Sequence, residues 1–247
     1  TMDTSSDCPR GFNLLAIGLS LLLFAGIVLY AWLDPDGFTR QLAHDGSPGG
    51  TGAIEHLTVI VLIPGILFGL YAYWGYRDRL PHQILGYWLL AWSLACIYFA
   101  GEEMSWGQRY FSWGTPDFLT KLNDQGETNL HNMSSWLDQK PRALVELFIF
   151  VIGFLVPLWH VLGNQKPIIR RGFLSSWEGW VFAPPALLLA GLLFVVPRVA
   201  DWLPQRAFIN LGDSELREFV TAWFLMWYLI SYAVRLKRIP AAEGASP

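Results

Sequence analysis

Apolar residues in this chain gather into long runs, and polar residues fill the breaks between them. Phe12–Leu33 passes without a charged residue, long enough as a helix to cross a hydrocarbon core of roughly 30 Å. Five more apolar stretches follow, at 57–76, 84–100, 143–162, 179–196 and 219–234. The pattern predicts an all-α fold: a polytopic membrane helix bundle of about six transmembrane helices, forming one integral membrane domain over 1–247 (the first span about 12–33). The stretch 179–196 contains Pro184 and Pro185, which remove two backbone donors and must kink or break it. Between the third and fourth runs lies the longest polar segment, 108–141, which reads as a partly helical cap facing outward. Its Gly114-Thr115-Pro116-Asp117 is a turn signal, with Thr115 as a helix N-cap and Pro116 as a first helical residue.

Composition agrees with the pattern. Hydrophobic residues are 53% of the chain and charged ones 15%, against about a quarter charged in soluble domains. Many of the 13 Trp sit at the ends of the runs, where an apolar ring with one N–H donor suits the membrane interface. The first run is too long for a secretory signal, and Tyr30-Ala31-Trp32-Leu33 offers no small-residue cleavage site, so it is expected to be retained. Cys8 precedes the first span and Cys96 lies inside the third, so no disulfide is expected between them. Gly65 and Gly69 form a small-xxx-small pattern that suits close helix packing.

Charge sets the expected orientation. One set of loops and termini carries nine Lys and Arg (Arg10, Arg77, Arg79, Lys166, Arg170, Arg171, Arg235, Lys237, Arg238) against five acids, concentrated in short segments. The other set dilutes eight basic residues among fifteen acids. Both termini are therefore expected in the cytoplasm, in the bacterial inner membrane, with the acidic 101–142 segment facing outward. With a formal net charge of −3, the expected partners are membrane lipid and other membrane protein subunits, and not nucleic acid.

The chemistry-bearing residues fall on that acidic side. Glu55 and His56 open the second span, Glu102 and Glu103 close the third, and Asp124, Glu127 and His131 lie in the connection after it. Glu146 sits about one turn into the fourth span, and Glu215 and Glu218 lead into the sixth. Acids and imidazoles at the edge of a hydrocarbon layer are costly unless partnered or used. Three readings compete. In the first, Glu55, His56, Glu103, Glu127 and His131 hold a divalent metal (Zn, Fe or Mn), and Glu102, Glu103 and Glu127 supply the catalytic carboxylates, with Arg109 as counter-charge. In the second, Arg109, Lys121, Arg142, Arg206 and Arg217 pair the acids in a structural network. In the third, Glu102, Glu103 and Glu146 form a proton or cation path, which is weaker because no acid lies mid-span. Being adjacent, Glu102 and Glu103 point about 100° apart on a helix, so Glu103 is expected to face the bundle and Glu102 the water or Arg109.

No phosphate-binding Gly loop, Cys-rich metal motif or Gly-x-Ser-x-Gly elbow is present. Two function classes therefore stand: an enzyme using metal-activated water or a Glu base on a lipid-derived or envelope substrate, and an accessory subunit of a larger membrane complex. The string Gly101-Glu102-Glu103-Met104-Ser105-Trp106-Gly107-Gln108-Arg109, followed by Asn123, Gln125-Gly126-Glu127 and Asn129-Leu130-His131-Asn132, resembles a signature of bacterial multi-spanning membrane proteins of uncharacterised activity. It is also similar in style to the carboxylate and His signatures of membrane-embedded metal hydrolases such as alkaline ceramidases. The chain lacks their three metal-binding His and paired Ser and Asp, so ceramidase chemistry is not carried over, and the resemblance implies no activity.

Overall fold

A computed structural model of the protein describes residues 8–43, 52–111, 113–116, 135–162, 177–200, 202, 211 and 213–239, without the side chains of Arg109, 135–139 and Glu178. The described residues are mainly helical, and no strand occurs among them. Six segments are long and apolar enough to cross a membrane: span one Arg10–Leu33, span two Ala53–Arg79, span three Gln83–Glu103, span four Lys140–Leu162, span five Gly179–Ala200 and span six Ser214–Leu236. Several spans run a few residues past the apolar stretches. A helix ends where its hydrogen-bond ladder ends and not where its hydropathy falls, so Glu55, Glu102, Glu103, Glu215 and Glu218 sit within helical turns. The expected cap is also shorter at its far end, because the helix of span four begins at Ser135. Of the rest of that cap, Gln108–Phe111 forms one helical turn, and Thr115 accepts a hydrogen bond from Gln108 Nε2 at 2.7 Å. The helix proposed to follow Pro116 lies outside the described residues.

Span six is the central helix, with buried positions from Leu216 to Leu236. Span two packs along it through the two glycines. A methyl group on Gly65 would sit 2.8 Å from the Met226 Cα, and one on Gly69 would meet Ser93 and Leu229. Without a Cβ, Gly65 lets the backbones of spans two and six close on each other and Gly69 makes room for side chains of spans three and six, which in a membrane replaces the missing hydrophobic drive with dispersion contact.

Span five breaks at its proline pair. Helix Glu178–Val181 stops, and the chain resumes as a 3-10 turn at Pro185–Leu187 and a helix at Leu188–Ala200. In a continuous helix Pro184 and Pro185 would face the carbonyls of Trp180 and Val181 without an N–H to offer. Span six supplies the replacements. The Tyr232 hydroxyl bonds the Trp180 carbonyl, and the Tyr228 hydroxyl bonds that of Val181 at 2.9 Å. The guanidinium of Arg235, fully buried, donates to the Gly179 carbonyl at 2.6 Å and lies over the Trp180 and Tyr232 rings.

Span four changes pitch midway. Ile149–Leu155 is a π-helix, and Pro157 just beyond it cannot donate to the Gly153 carbonyl. That carbonyl lies close to Gly191 of span five, where no side chain would fit. The second half of span four is thereby held against spans five and six, whereas helix Ser135–Phe148 reaches the bundle through side chains such as Arg142, Glu146 and Phe148.

One element had no counterpart in the hydropathy pattern. After span one, Asp34 caps a short helix, Pro35–Leu42, by accepting from Gly37 N at 2.9 Å, with Pro35 at the first helical position. Its Phe38 and Leu42 are buried with Leu193, Leu216, Phe219 and Val220. Two apolar residues in eight are too few for a periodic signal. Cys8 and Cys96 are both buried, and no disulfide joins them.

The glycine contact predicts a graded stability series. Gly65→Ala should destabilise the protein by about 1–3 kcal/mol, because the added methyl meets backbone that cannot rotate away. Gly75→Ala, which meets nothing within 4 Å, should be neutral. Thermal unfolding in detergent measures both, and equal melting temperatures for the two variants would contradict the close approach.

Candidate functional site

The site begins with the way span three ends. Beyond Glu103 the chain turns through Ser105 (φ 46°), Trp106 (φ 54°) and Gly107 (φ 88°), three successive residues in the left-handed region. For the first two this costs on the order of 1–2 kcal/mol each, so the surroundings must hold the turn. They do so through Trp106. Its indole N–H donates to Glu102 Oε1 at 2.7 Å, and its ring lies where a side chain on Gly101 would be, 2.9 Å from a hypothetical methyl. Gly101 and Gly107 thus both serve the turn, one by leaving room for a ring and the other by its backbone angle.

This corrects the expectation for Glu102. It does not face water: only 5% of it is exposed, because the reversed turn brings an indole donor to a carboxylate that hydropathy alone would leave at the surface. The side chain of Arg109, its expected alternative partner, lies outside the described residues. Glu103 faces the bundle as expected and is half-buried. There it meets Glu215 and Glu218, and one carboxylate oxygen from each of the three lies within 4.8 Å of the others. Glu215 and Glu218 are three residues apart and so share a face of span six. Asp213 starts that helix by accepting from Glu215 N at 2.9 Å. Burial raises the Asp213 carboxyl above its ordinary pKa, against the opposing effect of that hydrogen bond.

Glu55, in the first turn of span two and 3% exposed, is close enough for its charge to act on both Glu103 and Glu215. Cations approach from spans four and five. Arg142 donates to Glu218 Oε1 at 2.8 Å and to Glu146 Oε1 at 3.3 Å, and Arg198 donates to Glu146 at 2.6 Å and to Thr221 at 3.2 Å. Glu146 is therefore held by two guanidiniums. Among the described residues, no Lys or Arg forms an ion pair with Glu103 or Glu215.

Beside these groups a cavity of about 200 Å³ runs between spans three, four and six. Glu102, Glu103, Arg142, Glu146 and Glu218 line its charged end, and Trp92, Ala95, Phe99, Val145 and Leu225 line its apolar body. The arrangement can gather a cation between carboxylates at the mouth of a greasy slot. Carboxylates this close cannot all carry unscreened charge; they share protons or hold a cation.

Of the residues expected to form a metal site, the structure brings Glu55 and Glu103 into one neighbourhood. His56 is turned to another partner, with its Nδ1 at 2.7 Å from the Tyr110 hydroxyl. Glu127 and His131 lie outside the described residues. Glu215, Glu218, Arg142 and Arg198 complete the group. Their acids were visible at the correct end of the chain, and the i, i+3 spacing of Glu215 and Glu218 was the signal that they act together. Arg198 carried only the weak signal of a lone cation beside Pro197.

The turn can be tested directly. Trp106→Phe keeps an aromatic ring but removes a donor to a buried carboxylate, and should cost about 1.5–3 kcal/mol of stability. Gly101→Ala should push the ring aside and lower stability in the same direction. Melting temperatures in detergent unchanged by both substitutions would show that the indole does not hold the turn.

Comparison with known proteins adds no analogy to this geometry: no family model matches the chain, and neither a curated protein nor a solved structure is significantly similar to it.

Proposed function

We propose that the protein is an integral membrane protein whose carboxylate group at the outward membrane surface binds a divalent cation and hydrolyses a lipid-derived or envelope substrate. One observation carries this reading: Glu103, Glu215 and Glu218 converge within 4.8 Å, Glu103 and Glu218 lining the charged end of a cavity, with Glu55 nearby. The described donors are all oxygens, which suits a hard cation such as Mn, Mg or Ca better than Zn. A cation held there would polarise a carbonyl or phosphoryl group or lower the pKa of a bound water, and a carboxylate without an arginine partner would serve as base. Arg142, already bonded to Glu218, would stabilise negative charge developing on the substrate.

A second reading, an accessory subunit of a larger membrane complex, has its own observation. Glu146 is matched by Arg142 and Arg198, and this network ties spans four, five and six together without needing a ligand. Such pairing accounts for Glu146 and Glu218 but leaves Glu103 and Glu215 to one another.

Metal analysis of the purified protein separates the two. The cation reading expects a stoichiometric divalent ion that is lost in Glu103→Gln and in Glu215→Gln, with the fold retained. Absence of metal, together with variants as stable as the parent, would overturn it in favour of the subunit.

The outward orientation has a separate test. A cysteine placed at Gly49 should react with a membrane-impermeant maleimide on intact spheroplasts, and one placed at Ala245 only after permeabilisation. Reaction of both from the same side would contradict six spans with cytoplasmic termini.

A further inference from the structure

The apolar body of the cavity calls for an occupant of its own. It is bounded on one side by span three, whose lining residues Trp92 and Glu103 stand eleven residues apart, roughly 16 Å along the helix axis. On the other side is the first half of span four, which reaches the other helices through the side chains of Arg142, Glu146 and Phe148. Span four presents Val145 to the slot and Leu144 and Leu147 outward, the latter two 69% and 59% exposed. Toward the inner end Phe148 lies with its ring 4.3 Å from that of Trp92, tilted by 33°, and packs edge-on against Tyr228. Tyr98, which also lines the slot, is 38% exposed along span three.

We infer that this slot binds one hydrocarbon chain of a membrane lipid, entering sideways between spans three and four, with the lipid's polar group at Glu103, Glu218 and Arg142. Three points select this occupant. An apolar cavity is poorly hydrated, and one of about 150 Å³ stays dry and takes a single benzene-sized guest, so about 200 Å³ suits a segment of one chain and not two. Alongside membrane-crossing helices, the apolar material at hand is lipid. The charged end lies at the helix termini, the level of lipid headgroups, so an amphipath fits both ends of the cavity at once. Ala95 leaves the slot open where a larger side chain would fill it.

The inference rests on the proposed cation site only for the polar end; chain binding stands on the slot. The test uses the full-length protein in vesicles of phosphatidylethanolamine and phosphatidylglycerol doped with a phosphatidylglycerol carrying a diazirine in one acyl chain. After irradiation, peptides are mapped by mass spectrometry. Labelling is expected on 92–99 and at Val145, and Ala95→Trp should lower it about tenfold, the loss of roughly 1.4 kcal/mol of binding. Labelling at Leu144 and Leu147 should be unchanged and serves as the internal standard. If Ala95→Trp does not fold, Leu225→Trp blocks the slot from span six. Label confined to Leu144 and Leu147, or slot label that persists in a folded blocked variant, would overturn the inference. Slot labelling in a protein without metal supports the lipid site and refutes the cation site alone; a bound ion without slot labelling does the reverse.

Discussion

Hydrocarbon offers no hydrogen bonds, so each backbone group that a proline leaves unpaired inside a membrane must find a partner within the protein. The rest of this bundle is organised around that requirement at Pro184 and Pro185. The carbonyls of Gly179, Trp180 and Val181 are taken by Arg235, Tyr232 and Tyr228, all on span six. Span six must therefore lie against the break in span five, and at that position it is surrounded. A buried Arg without an acid is costly unless it is fully hydrogen-bonded. Here the guanidinium bonds the carbonyls of Gly179 and Ser231 and lies between two rings, so the break and the cation resolve each other's cost.

Fixing one end of span six places the other. Some twenty residues from Arg235, its first turns carry Glu215 and Glu218 to the end of span three. The two ends differ in how polarity is satisfied. At Arg235 each donor meets a carbonyl, hydroxyl or ring, and the result is rigid. At Glu103 and Glu215 like charges are brought together without arginine partners among the described residues, and a cavity is left beside them. Concentrated like charge beside open space stores an unfavourable interaction that a proton or cation relieves, and such places are where function is found more often than elsewhere.

Span four connects these regimes. Its π-helix and Pro157 allow the second half to nest against span five at Gly153 and Gly191. The first half, set at a different pitch, meets the bundle through Arg142, Glu146 and the ring of Phe148. The slot lies where this half of span four, through Arg142, Val145 and Glu146, faces spans three and six, and the carboxylates at its charged end follow from where spans three and six end.

Much of this was legible in the residues. Six apolar runs dictated six membrane-length helices, because hydrocarbon admits few other backbones. Gly65 and Gly69 marked a close helix contact, and Pro184-Pro185 marked a break. The acids at the ends of spans two, three, four and six were visible as a group. Tertiary structure alone decided which of them meet. Position along a helix says which face a side chain takes but not which helix lies opposite, so Glu103 with Glu218 and Arg142 with Glu218 could not be paired beforehand. Glu102 and His56 went to unforeseen partners for the same reason: Trp106 reaches Glu102 only through a left-handed turn, and Tyr110 reaches His56 across fifty-four residues of chain. Hydropathy sets depth in the membrane, whereas contact depends on rotation and pitch, which packing determines.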